Sequence, residues 1–173
     1  MPKLPNDRPG AEDAIQTARS LFLRDDNYYG CAEAAMAALR TVYDLPEPAD
    51  SSAAMVLNGG VAYSGGVCGA ISGAALAVGE LAGRRIPDHR EAKRTARRLI
   101  QLVMAEFEQE FGSQNCSDLI DYEISIPDQH DAFIESGVWR NTCMKQIEFS
   151  VTRLHALSDE QIWAETVAAL EDT

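Results

Sequence analysis

Residues 58–73 of the chain read Asn58-Gly59-Gly60-Val61-Ala62-Tyr63-Ser64-Gly65-Gly66-Val67-Cys68-Gly69-Ala70-Ile71-Ser72-Gly73. Six of the chain's 12 glycines fall within this glycine-rich segment. Glycine adopts positive φ without strain and lets two stretches of backbone approach closely. The pattern therefore predicts a shaped loop that ends at a cysteine and leads into a helix of small residues.

Two cysteines are predicted to lie where helices begin. Cys68 closes the loop, and Cys31 lies in the first turn of a helix predicted over residues 28–43. Unpaired N–H groups and the helix dipole favour negative charge there and lower the pKa of a thiol. We therefore expect Cys31 and Cys68 to be neighbours and to ionise easily, as reactive thiols or as metal ligands.

Apolar residues recur at helical spacing along most of the chain, which favours an all-α fold. Residues 124–126 alternate instead, and they predict only a short extended piece. We expect a compact bundle of about six to eight helices. The predicted helices and helical turns cover residues 11–24, 28–43, 51–57, 69–82, 88–111, 131–136 and 139–154, followed by a last helix capped by Ser158.

Composition and length narrow the class of protein. The 173 residues suit a single helical domain over 1–173, with residues 1–10 as a loose N-terminal arm. The net charge of −12 argues against binding to nucleic acid or to anionic membrane surfaces. No apolar run has the length of a membrane span or the position of a signal peptide. We therefore expect a cytoplasmic protein without membrane insertion.

The four cysteines carry a resemblance to a known family. Residues 68–73 fit the pattern C-G-A-x-x-G, residues 29–34 contain Cys31, Cys116 follows a Phe-Gly helix end, and Cys143 lies in a later helix. In this order they resemble the redox-active protein family named for its C-GCAxxG-C-C pattern, over roughly residues 21–154. The resemblance implies that the four cysteines share one site, and that the site has a redox role.

Several chemistries fit such a site, and the pattern alone leaves them open. Two thiols could cycle through a disulfide, which we favour, with Cys31 and Cys68 as the catalytic pair. All four thiolates could instead hold an iron–sulfur cluster, or, less favoured, zinc. In either case N–H groups of Gly65, Gly66 and Gly69 are predicted to face sulfur. The cysteines could also be buried structural residues in a helical domain that docks to a partner.

The histidines and the two glutamates considered next are expected to lie at the protein surface. None of the three histidines shows the spacing of a metal ligand, and His89 and His155 are predicted to be exposed. Glu33 and Glu80 are predicted to face solvent, with a role as an acid near the site as the alternative for either. We expect an unidentified redox partner, and a homodimer because helices of small residues pack closely. The helix after residue 158 lies outside the four-cysteine pattern and is expected to pack on the core or on a partner.

Overall fold

The computed structural model describes residues 10–171, and within that range the fold is all-α, as predicted. Of the N-terminal arm predicted over residues 1–10, only Gly10 lies among the described residues. The described residues form eight α-helices: α1 (Ala11–Phe22), α2 (Cys31–Val42), α3 (Gly69–Arg85), α4 (His89–Phe111), α5 (Cys116–Leu119), α6 (Pro127–Ser136), α7 (Thr142–Leu154) and α8 (Glu160–Glu171). Three short 3₁₀ helices cover Ser52–Leu57, Val138–Arg140 and His155–Ser158.

Helices α2 and α3 pack against each other at the centre of the fold. A Cβ atom on Gly73 would lie 2.1 Å from the carbonyl oxygen of Ala32, so only glycine fits at this crossing. A Cβ atom on Gly69, one turn earlier, would lie 3.0 Å from the backbone nitrogen of Ala32. The small residues of the glycine-rich segment therefore bring the first turns of α2 and α3 into backbone contact, as the sequence predicts.

Helix α4 follows its sequence signals at both ends. The side chain of Asp88 accepts a hydrogen bond from the backbone N–H of Glu91 at 2.8 Å, which caps the first turn. Gly112 ends the helix in the left-handed region, at φ 85°. The apolar stripe between these ends includes Phe107, whose ring contacts those of Phe111 and Phe149.

Three local predictions are wrong. Helix α3 continues past Gly83 to Arg85, because Gly83 keeps a helical conformation and Ile86 precedes a proline. Residues 124–126 form turns rather than an extended piece, and helix α6 then begins at Pro127. At the start of α8, Asp159 rather than Ser158 accepts hydrogen bonds from the first N–H groups.

One cluster of buried apolar side chains runs from α1 to α8. It includes Ala14 near the first described residues and Leu170 near the last, with Leu39, Val78 and Ile147 fully buried between them. The last helix therefore packs on the core, as the sequence analysis allowed. No helix in the described part of the chain is both long and apolar enough to cross a membrane.

Candidate functional site

The side chain of Asn58 ties the glycine-rich segment to the first turn of α2. Its Oδ1 accepts a hydrogen bond from the backbone N–H of Ala32 at 3.0 Å, so Asn58 caps α2 from another part of the chain. Its Nδ2 donates to Oε2 of Glu33 at 2.9 Å. A Cβ atom on Gly30 would lie 2.2 Å from this amide, so glycine is required before Cys31.

The Glu33 carboxylate is buried, contrary to the prediction that it faces solvent. It accepts hydrogen bonds from the backbone N–H of Gly30, from the hydroxyl of Ser51 and from the amide of Asn58, each at 2.9 Å. Three donors replace the water that the carboxylate loses on burial. Glu80 is only partly exposed and pairs with Arg40 at 3.1 Å.

The loop after Asn58 contains a left-handed turn. Five consecutive residues, from Gly59 to Tyr63, have φ between 51° and 75°. Three of them, Val61, Ala62 and Tyr63, carry side chains that disfavour this region. Backbone hydrogen bonds close the turn, among them those from the N–H of Ala62 to Val56 and from that of Tyr63 to Asn58.

The end of the loop pairs with the segment that carries Cys116. The N–H of Cys68 donates to the carbonyl of Gln114 at 2.8 Å, and the N–H of Cys116 donates to the carbonyl of Gly66 at 2.7 Å. These reciprocal bonds make a single antiparallel bridge. They hold Cys116, at the start of α5, beside Cys68, at the start of α3.

Gly65, Gly66 and Gly69 differ in what their N–H groups face. The N–H groups of Gly69 and Gly59 lie near the sulfur of Cys31 and lower its pKa. The N–H groups of Gly65 and Gly66 instead donate to carbonyls inside the loop, at 3.0 and 3.1 Å. The prediction that they face sulfur is therefore corrected, because the left-handed turn uses their donors.

The fourth cysteine reaches the site from α7. Cys143 and Gln146 lie three residues apart and share one helix face. The thiol of Cys68 lies 3.4 Å from Oε1 of Gln146, to which it donates, and both side chains are buried. Helix α7 thus contributes a thiol and a hydrogen-bond acceptor to the same region as Cys31 and Cys116.

Burial raises the pKa of all four thiols, so the prediction of easily ionised cysteines is wrong. Removal of water is the largest cause in each case; the pKa of Cys116 rises to about 12, and that of Cys68 rises well above its usual value. The N–H groups around Cys31 lower its pKa, but burial outweighs them. Charge on Cys31 would further raise the pKa of Cys68, Cys116 and Cys143. The four sulfurs are therefore coupled.

A cavity of about 440 Å³ opens beside these cysteines. Cys31, Cys116 and Cys143 line it, whereas Cys68 lies buried behind them. Cys31 is the most exposed of the four. The remaining lining residues are mostly apolar or aromatic: Phe22, Tyr29, Tyr63, Ile120, Ile124, Phe133, Ile134 and Trp139. A small molecule that enters this cavity would meet three thiols.

All four cysteines are free thiols in the structure. Between residues 10 and 171, no three side chains of Cys, His, Asp or Glu lie close enough together to hold a metal ion. The donor set has the chemistry of an iron–sulfur or zinc site, but this arrangement does not fit one as it stands. Of the histidines, His130 lines the cavity and stacks at 5.0 Å on Tyr63.

His155 is buried rather than exposed, in contrast to its prediction. Its Nδ1 lies 2.8 Å from the carbonyl oxygen of Thr152, one turn earlier in the chain. It belongs to the 3₁₀ helix after α7 and is absent from the residues that line the cysteine cavity. Its role there is to pack the junction between α7 and the last helix.

Comparison with protein families places the cysteines in a known pattern. The family model described as "Putative redox-active protein (C_GCAxxG_C_C)" matches residues 29–157, which include all four cysteines. The chain belongs to this family. In this C_GCAxxG_C_C protein, three of the four pattern cysteines line the cavity, and the fourth, Cys68, is buried outside the lining. Searches among curated proteins and among solved structures gave no match.

Several residues of the site escaped the sequence analysis. Gln146 gives only a weak signal, as a polar residue on the inward face of a helix, three positions after a cysteine. Asn58 was visible as the first residue of the glycine-rich segment, but its contact with Ala32 joins residues far apart in the chain. Two aromatic lining residues, Phe133 and Trp139, come from α6 and from the 3₁₀ helix after it.

Proposed function

We propose that this protein carries out dithiol–disulfide exchange, with Cys31 as the attacking thiol and Cys68 as its partner. The observation that carries the proposal is the gathering of Cys31, Cys116 and Cys143 on one cavity, with Cys68 buried at the start of the helix whose first residue contacts the Cys31 sulfur. Cys31 is the least buried thiol, and although burial raises its pKa, the nearby N–H groups act in the opposite direction. Its sulfur contacts Gly69, the residue after Cys68.

The exchange is a two-electron reaction. The Cys31 thiolate attacks one sulfur of a substrate disulfide, and the substrate's other half leaves as a thiolate. The Cys68 thiolate then attacks the Cys31 sulfur and releases the second half. The protein gains an internal disulfide, the substrate becomes two thiols, and the two protons of the cysteines pass to those thiols. A reducing thiol reverses the steps.

Counting thiols before and after mild oxidation tests this proposal. We expect full-length reduced protein to lose two thiols together, and peptide mapping to find residues 31 and 68 joined. Cys31→Ser should abolish the paired loss, whereas Cys143→Ser should retain it because Cys31 and Cys68 remain. Four thiols that survive oxidation of the folded protein would overturn the proposal.

The same preparation tests the iron–sulfur alternative. Protein purified without oxygen should be colourless and free of iron and acid-labile sulfide if the cysteines act as thiols. Brown protein with iron and sulfide in proportion, lost in each Cys→Ser variant, would replace thiol exchange by cluster binding.

A further inference from the structure

The wall of the cysteine cavity is built to hold an apolar molecule. The rings of Phe22 and Trp139 meet edge to face at 5.3 Å. The ring of Phe133, also in the lining, packs at 5.5 Å on that of Tyr122, which lies outside the lining. A volume of about 440 Å³ is in the range of small-molecule sites, which are mostly apolar with a few polar groups. The thiols are thus reached across an aromatic surface.

Of the Asp, Glu, Lys and Arg residues described in the structure, only acidic ones line the cavity. Asp131 and Glu135 line it, and the Asp131 carboxylate is 76% exposed at its edge. Among the described residues that line the cavity there is no lysine or arginine. The guanidinium of Arg140 stacks on the ring of Trp139 from outside the lining, and its charge is paired with Asp25 at 2.9 Å. The imidazole of His130 also lines the cavity, and its Nδ1 lies 3.7 Å from Oδ1 of Asp131. An anion in the cavity would therefore meet no lysine or arginine in the described lining.

We propose that the cavity selects low-molecular-weight disulfides that carry no negative charge and excludes those with carboxylates. This substrate class rests on the thiol exchange proposed above. A neutral disulfide gains contact with the aromatic wall, whereas an anionic one would lose hydration and face two carboxylates. The reaction is then the exchange already written, in which the disulfide accepts two electrons and leaves as two neutral thiols.

Two matched probes test the selection. Dithiodipyridine is a neutral aromatic disulfide, and dithiodinicotinate is the same molecule with one carboxylate on each ring. Each releases a coloured thione when a thiol attacks it. We expect the ratio of the neutral to the anionic rate to be at least about tenfold higher for the folded protein than for the protein unfolded in urea. Equal ratios in the two states would overturn the proposal.

Charge-removing variants locate the effect. The double variant Asp131→Asn/Glu135→Gln should raise the rate of the anionic probe and leave that of the neutral probe near its original value. Glu110→Gln removes an exposed carboxylate outside the cavity lining and should change neither rate. An anionic rate that stays unchanged in the double variant, or rises equally in the control, would overturn the role of these carboxylates.

The reaction products distinguish the proposed selection of neutral disulfides from the thiol–disulfide exchange on which it rests. Two thiones for each neutral probe, with an internal protein disulfide, support both proposals. One thione for each probe, with a lasting mixed disulfide on Cys31, would keep the selection and overturn the exchange. An internal disulfide formed at the same relative rate by both probes would keep the exchange and overturn the selection.

Discussion

The sulfur of Cys31 occupies the space where a side chain on residue 69 would begin, since a Cβ atom on Gly69 would lie 2.3 Å from it. The contact joins the first turn of α2 to the first turn of α3. It also brings the N–H of Gly69 to the Cys31 sulfur. The glycine of the family pattern is therefore required by the position of the first cysteine.

Replacing glycines in α3 tests this close approach. Gly69→Val and Gly73→Val should each destabilise the fold by at least about 1–3 kcal/mol, because the new side chains would collide with Cys31 and with the carbonyl of Ala32. Gly83→Ala should instead stabilise by about 0.5–1 kcal/mol, since its surroundings are open and alanine favours helix. Urea unfolding measures all three. Equal midpoints would contradict the backbone contact between α2 and α3.

Glycine substitutions in the left-handed turn should increase the stability of the fold. Val61→Gly and Ala62→Gly should each stabilise by about 0.5–1 kcal/mol, because relief of about 1–2 kcal/mol of left-handed strain exceeds the added chain entropy. Both side chains are exposed, so little packing is lost. Ala164→Gly, on the exposed face of α8, should destabilise by about 1 kcal/mol in the same assay. Loss of stability in all three variants would show that the turn is unstrained.

A negative charge introduced at residue 58 should reveal the energetic coupling between Asn58 and Glu33. Asn58→Asp keeps the shape but places a second carboxylate against buried Oε2 of Glu33, and we expect a cost of about 2–3 kcal/mol. Glu33→Gln in the same chain should recover part of that loss, because its amide can donate to the new carboxylate. A double-mutant cycle from urea unfolding measures the coupling. Additive effects would rule the coupling out.

Because the pKa values of the cysteine thiols are raised in the folded state, the free energy of unfolding should decrease at alkaline pH. Each buried thiol stays protonated in the folded state and ionises near its usual pKa of about 8.5 once unfolded. The stability contributed by a protonated, buried thiol is therefore fully present below the unfolded pKa, and it is lost as the pH rises above that value. Between about pH 9 and pH 10, Cys116→Ala should lower the slope of unfolding free energy against pH by about 1 kcal/mol per unit. A slope unchanged from that of the parent would refute the raised pKa of Cys116.

The sequence predicted helices well where each one carries its own signals, as α4 does with Asp88 and Gly112. The gathering of four cysteines followed from the family pattern and from two predicted helix starts. Thiol ionisation was predicted wrongly because helix dipoles are visible in a sequence, whereas burial is set by distant segments. The left-handed turn was missed because Val61 and Tyr63 normally signal right-handed or extended backbone.

Asn58 and Gly59 form the dipeptide that is most prone to spontaneous deamidation, in which the glycine nitrogen attacks the side-chain amide carbon. Here the side-chain amide of Asn58 makes hydrogen bonds with Ala32, Glu33 and Met55, and the N–H of Gly59 faces the Cys31 sulfur. Ring closure would have to break these bonds together. Asn58 should therefore deamidate slowly in the folded chain. Mass spectrometry of stored protein should find conversion to aspartate mainly in unfolded samples. Once formed, the new aspartate carboxylate would face the buried carboxylate of Glu33. Deamidation of Asn58 would therefore also destabilise the folded protein.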